Sequence, residues 1–573
     1  MQRTLSNLAN RSYDLLIIGG GIYGACTAWE AVSRGLSVAL VEKQDFGSAT
    51  SANSLKIIHG GLRYLQHADL KRMRESIRER KNLLRIAPHL IHPLPILVPT
   101  YGHGVKGREA MTIALLLNDL ISCDRNWVIE NTSHHIPTGQ IIAKNECLKK
   151  LPGLSAEGLT GGALFTDAQV YNSERLTLAF LRSAHDAGAQ IANYATVKDF
   201  IRQGDRIAGA TVHDELTGQD FDIQAKLVIN TSGPWIHQLQ ALAQGKTPPD
   251  DVLLAKAVNV VVPKFIQHYA VGLSSKVDYR DQDALVDKGS RFLFTVPWRD
   301  ASMLGTWYFP YRQSPEQLSV SGAELQICLD DINAAYPPAD LTLSDISYVH
   351  CGLLPSSGVS RKTGDVQLAK HYHLIDHGQD GMPGLLTVSG VKYTTARDVA
   401  EKVIGRVGHI LRRSLPASKT HQTPVYGGAI DNFDGLLQQA NQNTETGLSD
   451  STMKSLVYTY GTEYQTVLDG IQPQSERSSW QNLLASQVRY AVHQEMAQHL
   501  SDVVLRRTDL GSARKPEESD IAFCAEIMAV ELAWSEHQYQ EELEQVHNFY
   551  AKRLPQGSSQ EVADQEVAEL RTA

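Results

Sequence analysis

Tyr13-Asp-Leu-Leu-Ile-Ile-Gly19-Gly-Gly21-Ile22-Tyr23-Gly24 opens the first regular unit of the chain. An apolar run flowing into glycines predicts a strand buried on both faces. The glycines keep a Gly-x-Gly-x-x-Gly spacing, and each has a steric job. Gly19 suits a tight turn, Gly21 lets backbone approach a pyrophosphate, and Gly24 lets a helix pack closely on the strand. Residues 25–34 read as that helix, with Gly35 at its end, and residues 36–41 as a second strand running into Glu42. The helix N-terminus presents N–H groups and a positive dipole end to phosphates. A carboxylate about 20 residues after the first glycine can accept hydrogen bonds from ribose hydroxyls, and it argues against a 2′-phosphate. Three glycines alone could be a simple turn, but strand, helix, second strand and acid agree on a dinucleotide site.

Two later segments favour FAD over NAD. Leu227-Val-Ile-Asn-Thr-Ser-Gly233-Pro-Trp235 is an apolar strand ending in a small-residue turn, and Gly390-Val-Lys-Tyr-Thr-Thr395 is a second turn much later. A flavin must be held at both ends, so late segments should return to a pocket opened by the first βαβ unit. Helical patterns are predicted over 69–86 and 172–190. A β-meander is predicted over 207–212 and 221–223, with a separate buried strand from 226. Residues 250–385 carry short strand-like runs, as in an antiparallel sheet. From about 430 to 555 strand signals vanish, and a separate all-helical domain is expected. The tail 556–573 is polar and reads as mobile.

The chain has 573 residues, 42% of them hydrophobic and 20% charged, so it can build a large core. Its formal charge is −9, which counts against phosphate-backbone binding and so against a nucleic-acid partner. Six cysteines without a Cys-x-x-Cys pair fit a reducing compartment, and no metal is expected. The first residues lack a signal-peptide core, and no run reaches the roughly 18–20 apolar residues of a membrane span. Residues 110–121 (AMTIALLLNDLI) are the most apolar candidate. They are read first as a buried core helix, with an amphipathic helix on a membrane surface as the alternative.

Ala49-Thr-Ser-Ala-Asn-Ser-Leu-Lys-Ile-Ile-His59-Gly-Gly-Leu-Arg63-Tyr-Leu resembles the flavin-side motif of FAD-dependent glycerol-3-phosphate dehydrogenases and oxidases. The likeness continues through Ala87–Pro93, Gly162–Val170, Glu174-Arg-Leu176, Asn230–Trp235, Val296-Pro-Trp298, Val391–Arg397, Val488–Val492 and Leu505–Leu510, covering about residues 12–552. It implies an α/β flavoprotein with a Rossmann-like FAD-binding domain, an interleaved antiparallel-sheet substrate domain, and a helical C-terminal domain. On that reading 12–425 is the oxidoreductase region. Its FAD-binding segments are about 12–100, 160–250 and 350–412, its substrate-binding segments about 101–159 and 251–349, and 430–555 follows as the helical domain.

The implied reaction, part of glycerol metabolism, moves a hydride from C2 of sn-glycerol 3-phosphate to flavin N5, giving dihydroxyacetone phosphate. Electrons then pass to quinone or oxygen. A peripheral membrane surface, a cytoplasmic setting on the inner face of the inner membrane, and a homodimer are further implications. The resemblance assigns catalysis to His59, Arg63 and Lys392, with His59 as base because an imidazole titrates near working pH. With the fingerprint, it assigns FAD contacts to Gly19, Gly21, Ile22, Tyr23, Gly24, Glu42, Lys43, Thr50, Ser51, Lys56, Ile58, Gly60, Gly61, Val197, Thr231, Gly233, Trp235, Gly352, Lys392, Tyr393 and Thr394. Substrate contacts fall to Lys56, Arg63, His350 and Lys370.

The chain departs from the family in the substrate half. Leu354 stands where the family carries a substrate-gripping Arg, and Leu cannot form the bidentate phosphate fork. Gly305-Thr-Trp307-Tyr308, Asn259 and Ser389-Gly-Val-Lys392 also differ from the family pattern. Trp307 and Leu354 are expected to make a less charged pocket, compensated by His350, Lys370 or Arg361. The alternative is a different polyol phosphate, hydroxy acid or amine as substrate. A flavin-bearing scaffold without turnover is a third reading, opposed by the intact His59, Arg63 and Lys392.

Overall fold

Period-2 and continuous apolar runs set two sheets, and the chain passes between them repeatedly. The computed structural model describes residues 1–554 apart from 2, 4, 105–106, 250, 277–291, 361–363, 443–446, 473 and 475. Arg361 and the tail 556–573 therefore lie outside the described residues.

The first sheet is built on β1 (Ser12–Ile18) and β2 (Val38–Val41). The second receives β3 (Ile57–Ile58), β4 (Ile91–Tyr101), β5 (Gln140–Ala143) and β6 (Leu159–Val170). The chain returns to the first sheet with β7 (Gln190–Ala192), β8 (Ala195–Gln203), β9 (Arg206–Asp214) and β10 (Asp220–Asn230). It then gives the second sheet β11 (Leu254–Pro263), β12 (Ala270–Ser274), β13 (Phe292–Trp298), β14 (Ala301–Tyr311), β15 (Tyr348–Val359) and β16 (Val366–Leu368). β17 (His373–Asp376) and β18 (Leu385–Ser389) close the first sheet. Its order is β17-β18-β10-β1-β2-β7, parallel from β18 to β7, with β9 and β8 extending from β10. The second sheet runs β16-β15-β11-β14-β13-β12-β4-β6-β3 and is mainly antiparallel, with β12 and β4 parallel.

One strand reads differently from its sequence. The meander residues 221–223 and the buried run from 226 are not two elements but the single strand β10. Its first half pairs antiparallel with β9, and its second half lies parallel between β1 and β18. One face of the parallel sheet is covered by helices Ile22–Ser33, Ser173–Asp186 and Ala396–Ile410; the β8–β9 arm shares the other core.

The close packing asked of Gly24 is visible. A Cβ there would sit 1.9 Å from the Gly19 carbonyl oxygen. Gly24→Ala is expected to force backbone apart and cost about 1–3 kcal/mol or more, read as a lower thermal midpoint.

Among the described residues no strand follows β18, so the C-terminal part is helical. Met453, Val457, Val467 and Leu483 form an apolar cluster of its own, but a second part of its core is shared. Val488, Val503, Ile521, Val546 and Tyr550 belong to one apolar cluster with Leu94, Val261, Trp298 and Tyr348 of the second sheet. The helices here are thus a cap fused to that sheet.

The expected core helix at 110–121 is also corrected. Helix Arg108–Ile121 buries Leu115 alone, and Ile113, Leu116 and Leu120 are 60, 65 and 71% exposed. It lies on the outside of the β4–β6 region with its apolar stripe turned outward. Among the described residues no helix is long and apolar enough to cross a membrane.

Candidate active site

Between the two sheets lies a cavity of about 1110 Å³. That is at the upper end for a ligand site and leaves room for a large cofactor together with a small substrate. The fingerprint forms one end. Gly19 has φ +108°, and a Cβ there would sit 2.7 Å from the Thr231 carbonyl oxygen, so backbone lies bare where the turn meets the cavity. Ile22 N–H donates to Ser51 Oγ at 3.0 Å, which joins the helix start to the 47–51 loop. Glu42 is oriented at both oxygens: Oε2 accepts from Gly20 N–H (2.6 Å) and Oε1 from Gln44 N–H (2.9 Å). Burial pushes its carboxyl upward. At the mouth, the Lys43 ammonium lies 3.8 Å from the Trp235 ring centroid and 3.0 Å from Glu316.

The two late turns come back as a flavin site requires. Thr231 Oγ1 donates to the Ile18 carbonyl (2.9 Å), tying the end of β10 to the end of β1. Tyr23 Oη donates to the Lys392 carbonyl (3.0 Å) and accepts from Lys392 N–H (3.3 Å). The fingerprint helix thereby holds the Gly390–Lys392 turn over the same cavity. Bare glycine backbone and an oriented carboxylate side by side on the wall of a cavity this large fit a dinucleotide cofactor.

At the other end stands His59, just past β3. Its ring is half exposed to the cavity, and Nδ1 lies 3.9 Å from Asp167 Oδ2. Asp167 is itself fixed, accepting from Gly60 N–H (2.6 Å) and from the Arg80 guanidinium. Enclosure within the cavity lowers the His59 pKa from 6.5, Asp167 opposes this, and Arg63, Lys392 and Arg80 add to the lowering. At neutral pH the imidazole is therefore neutral and can accept a proton. Arg63, Lys370 and Lys392 line the cavity, and Lys392 Nζ lies 4.3 Å from the Tyr64 ring centroid.

Residues 14–397 match the family of FAD-dependent oxidoreductases, and residues 418–539 match the C-terminal domain of alpha-glycerophosphate oxidase. The chain belongs to the FAD-dependent oxidoreductase family. It is 30% identical to a glycerol-3-phosphate dehydrogenase of Synechocystis over 96% of this chain and 98% of that one. It is 29% identical to an alpha-glycerophosphate oxidase of Streptococcus pyogenes, covering 96% of each. The crystal structure of a Bacillus halodurans glycerol-3-phosphate dehydrogenase complexed with FAD shares the fold, with TM-score 0.74, 24% identity and 95% coverage of both chains. The protein is thus a glycerol-3-phosphate dehydrogenase-like flavoprotein with FAD as its cofactor.

Most residues singled out from the sequence lie on the cavity wall: Gly19, Gly21, Ile22, Tyr23, Glu42, Lys43, Thr50, Ser51, His59, Gly61, Arg63, Val197, Thr231, Gly233, Trp235, Lys370, Lys392, Tyr393 and Thr394. Gly24, Ile58, Gly60 and Gly352 sit behind it; a Cβ on Gly352 would lie 3.1 Å from Thr50, so this glycine lets β15 approach the 47–51 loop.

Two expectations are corrected. Lys56 has φ +61°, and its side chain turns into the protein, where Nζ donates to Glu174 Oε2 (2.7 Å), Ser173 Oγ (2.9 Å) and the Ala52 carbonyl (2.8 Å). It is fully buried and off the cavity, so it is a structural cation and not a substrate ligand. His350 is 2% exposed, edge-on to Tyr348 and Trp298, and burial drives its pKa well below 6.5. It is a neutral core imidazole and cannot replace the missing anion clamp.

Of the departures, Leu354 and Asn259 face the cavity, and Asn259 Oδ1 accepts from Thr306 Oγ1 (2.6 Å). Trp307 does not face it. Thr306 and Tyr308 take the cavity side of β14, while Trp307 is buried with Nε1 donating to Asp331 (3.1 Å). Asp167, Arg80 and Tyr64 were missed as site residues. All three fall inside or near the stretches that carry the resemblance, but nothing in their spacing announces a partner for His59.

Proposed function

We propose that the protein oxidises sn-glycerol 3-phosphate to dihydroxyacetone phosphate and passes the electrons to a lipophilic quinone. The observation that carries the reaction is a neutral, carboxylate-oriented imidazole on the wall of the FAD cavity, with cationic side chains beside it. FAD, when bound, supplies the two-electron acceptor for the C2 hydrogen. His59 takes the C2 hydroxyl proton, and Asp167 orients the ring and steadies the imidazolium that results. Arg63, Lys392 and Lys370 hold the phosphate. Glu42, Gly19 and Gly21 hold the AMP half of the cofactor, while Tyr393, Thr394 and Gly61 flank the other half.

The rate of flavin reduction should follow the His59 pKa. Its neutral form is the active one, and enclosure within the cavity and the neighbouring cations lower its pKa. Reduction by glycerol 3-phosphate is therefore expected to stay level from pH 8 down past the ordinary histidine value of about 6.5 and to fall only below it. Anaerobic stopped-flow across pH reads this directly; a fall beginning above pH 7 contradicts it.

Leu354 favours a second reading. With no cation on the β15 wall, phosphate loses one charge-assisted contact, worth about 1.5–3 kcal/mol, or roughly 10- to 150-fold in binding. A different polyol phosphate, hydroxy acid or amine fits that wall. Bleaching of the flavin by such a compound but not by glycerol 3-phosphate selects it.

The acceptor reading rests on helix Arg108–Ile121. Its inner face contributes Met111 and Ala114 to the cavity, alongside Ile96, Val98, Phe165 and Phe294. Its outer face exposes Ile113, Leu116, Leu117 and Leu120, and Trp127 and Val128 beyond it are also exposed. Such a face suits the headgroup boundary of a bilayer, from which a lipophilic acceptor reaches the cavity. Leu116→Asp with Leu120→Asp is expected to lower binding to phosphatidylcholine–phosphatidylglycerol vesicles at least about tenfold, each buried side chain being worth about 1.5–3 kcal/mol. Flavin bleaching in solution should persist. Undiminished vesicle binding removes this helix from the membrane role.

A further inference from the structure

The C-terminal cap reaches back into the cofactor site through one carboxylate. Of the ten residues 42–51, eight line the cavity; Asp45 and Phe46 point the other way. Asp45 is fully buried against the cap. Arg507 grips it bidentately, Nη2 to Oδ1 at 2.6 Å and Nη1 to Oδ2 at 2.8 Å, and Arg506 Nε donates to Oδ2 at 2.5 Å. These arginines end a π-helical turn, Val503–Arg507, a rare geometry that often marks a functional position.

The turn is itself tied down. Arg506 Nη2 donates to Asp502 Oδ1 (2.8 Å), which also accepts from Tyr194 Oη (2.6 Å), and Arg507 Nη2 donates to the Glu495 carbonyl (3.1 Å). On the cavity side, Gly47 N–H donates to the Gly20 carbonyl (3.1 Å), and the Phe46 ring lies where a Cβ on Gly20 would meet it at 2.8 Å. A shift of Asp45 therefore moves Phe46, the glycine turn, and the Glu42 carboxylate held by Gly20 N–H.

We propose that Arg506 and Arg507 of the C-terminal cap position the FAD-binding loop through Asp45, so that the cap acts as a retention clamp for the cofactor. Burial alone would push the Asp45 carboxyl upward, but Arg507 and Arg506 outweigh it and hold it below the ordinary carboxylate value, so the clamp is ionised at neutral pH. Asp45 and the two arginines do not line the cavity; they are positioning residues. The proposal rests on reading the cavity as the FAD site.

The test is FAD release from purified holoenzyme, followed by the rise in free-flavin fluorescence after dilution. Asp45→Asn keeps the shape and removes the charge. It is expected to speed release at least tenfold, with full occupancy restored by added FAD. Arg506→Lys keeps a charge but loses the fork between Asp45 and Asp502; it should fold where Asp45→Asn does not, and should release FAD at least threefold faster. Val467→Ala opens a gap in a second apolar cluster of the same cap, one that contains no residue of the π-helical turn. It should lower the thermal midpoint and leave release unchanged, which a merely structural role for the clamp would not distinguish. Release at the wild-type rate from folded Asp45→Asn or Arg506→Lys, or equally fast release from Val467→Ala, overturns the proposal. A wild-type protein that never holds FAD would instead sink the reading of the cavity, a separate result.

Discussion

His59→Ala is expected to slow anaerobic flavin reduction by substrate about 10²- to 10⁴-fold while the purified protein stays yellow. The size follows from what the imidazole does. The C2 hydroxyl proton must leave as the hydrogen departs, and without a base beside it water must take that proton. The FAD contacts assigned to the fingerprint and to the Gly390–Thr395 turn do not pass through the imidazole, so cofactor binding should survive. His59→Gln should behave alike, because a glutamine keeps polarity without basicity. Asp167→Asn should show a smaller loss, since the carboxylate 3.9 Å from Nδ1 orients the ring and steadies the imidazolium but does not accept the substrate proton. An unchanged reduction rate in His59→Ala removes His59 from the base role.

Lys56→Met is expected to cost about 3–5 kcal/mol of stability, because it strands the buried Glu174 carboxylate without its cation. A whole domain is stable by only about 5–15 kcal/mol, so the variant should melt far below the parent or fail to accumulate. Lys56→Met with Glu174→Leu should recover most of the loss, since a well-packed apolar pair often matches a buried ion pair. Thermal melts of the two variants decide this. A stable Lys56→Met protein with weakened substrate binding would restore the role that the sequence suggested and the structure removes.

What the sequence conveys best is local. The first βαβ unit is legible because three glycines, an apolar strand and Glu42 each answer a separate steric or electrostatic need within 30-odd residues. The helical nature of the C-terminal part is legible from periodicity, but its attachment is not. Arg507 meets Asp45 across 462 positions of chain, and no spacing reports that contact. Side-chain direction is the other blind spot. Lys56 and His59 stand three apart in the same motif, yet the left-handed backbone at Lys56 turns it inward while His59 faces the cavity. Along β14 the alternation of a strand gives Thr306 and Tyr308 to the cavity and Trp307 to the core. A resemblance locates such residues in sequence; only the fold decides which way they look. The outward stripe of helix Arg108–Ile121 makes the same point, since its composition suits a buried helix as well as a surface one.

The most direct measurement is the visible spectrum of the freshly purified protein under anaerobic conditions, before and after glycerol 3-phosphate is added. The expected result is an oxidised-flavin spectrum that bleaches within the mixing series and returns when a short-chain quinone is supplied. A colourless protein that takes up no FAD, or a yellow one that no polyol phosphate, hydroxy acid or amine can bleach, would contradict the assignment of this cavity to flavin-dependent oxidation.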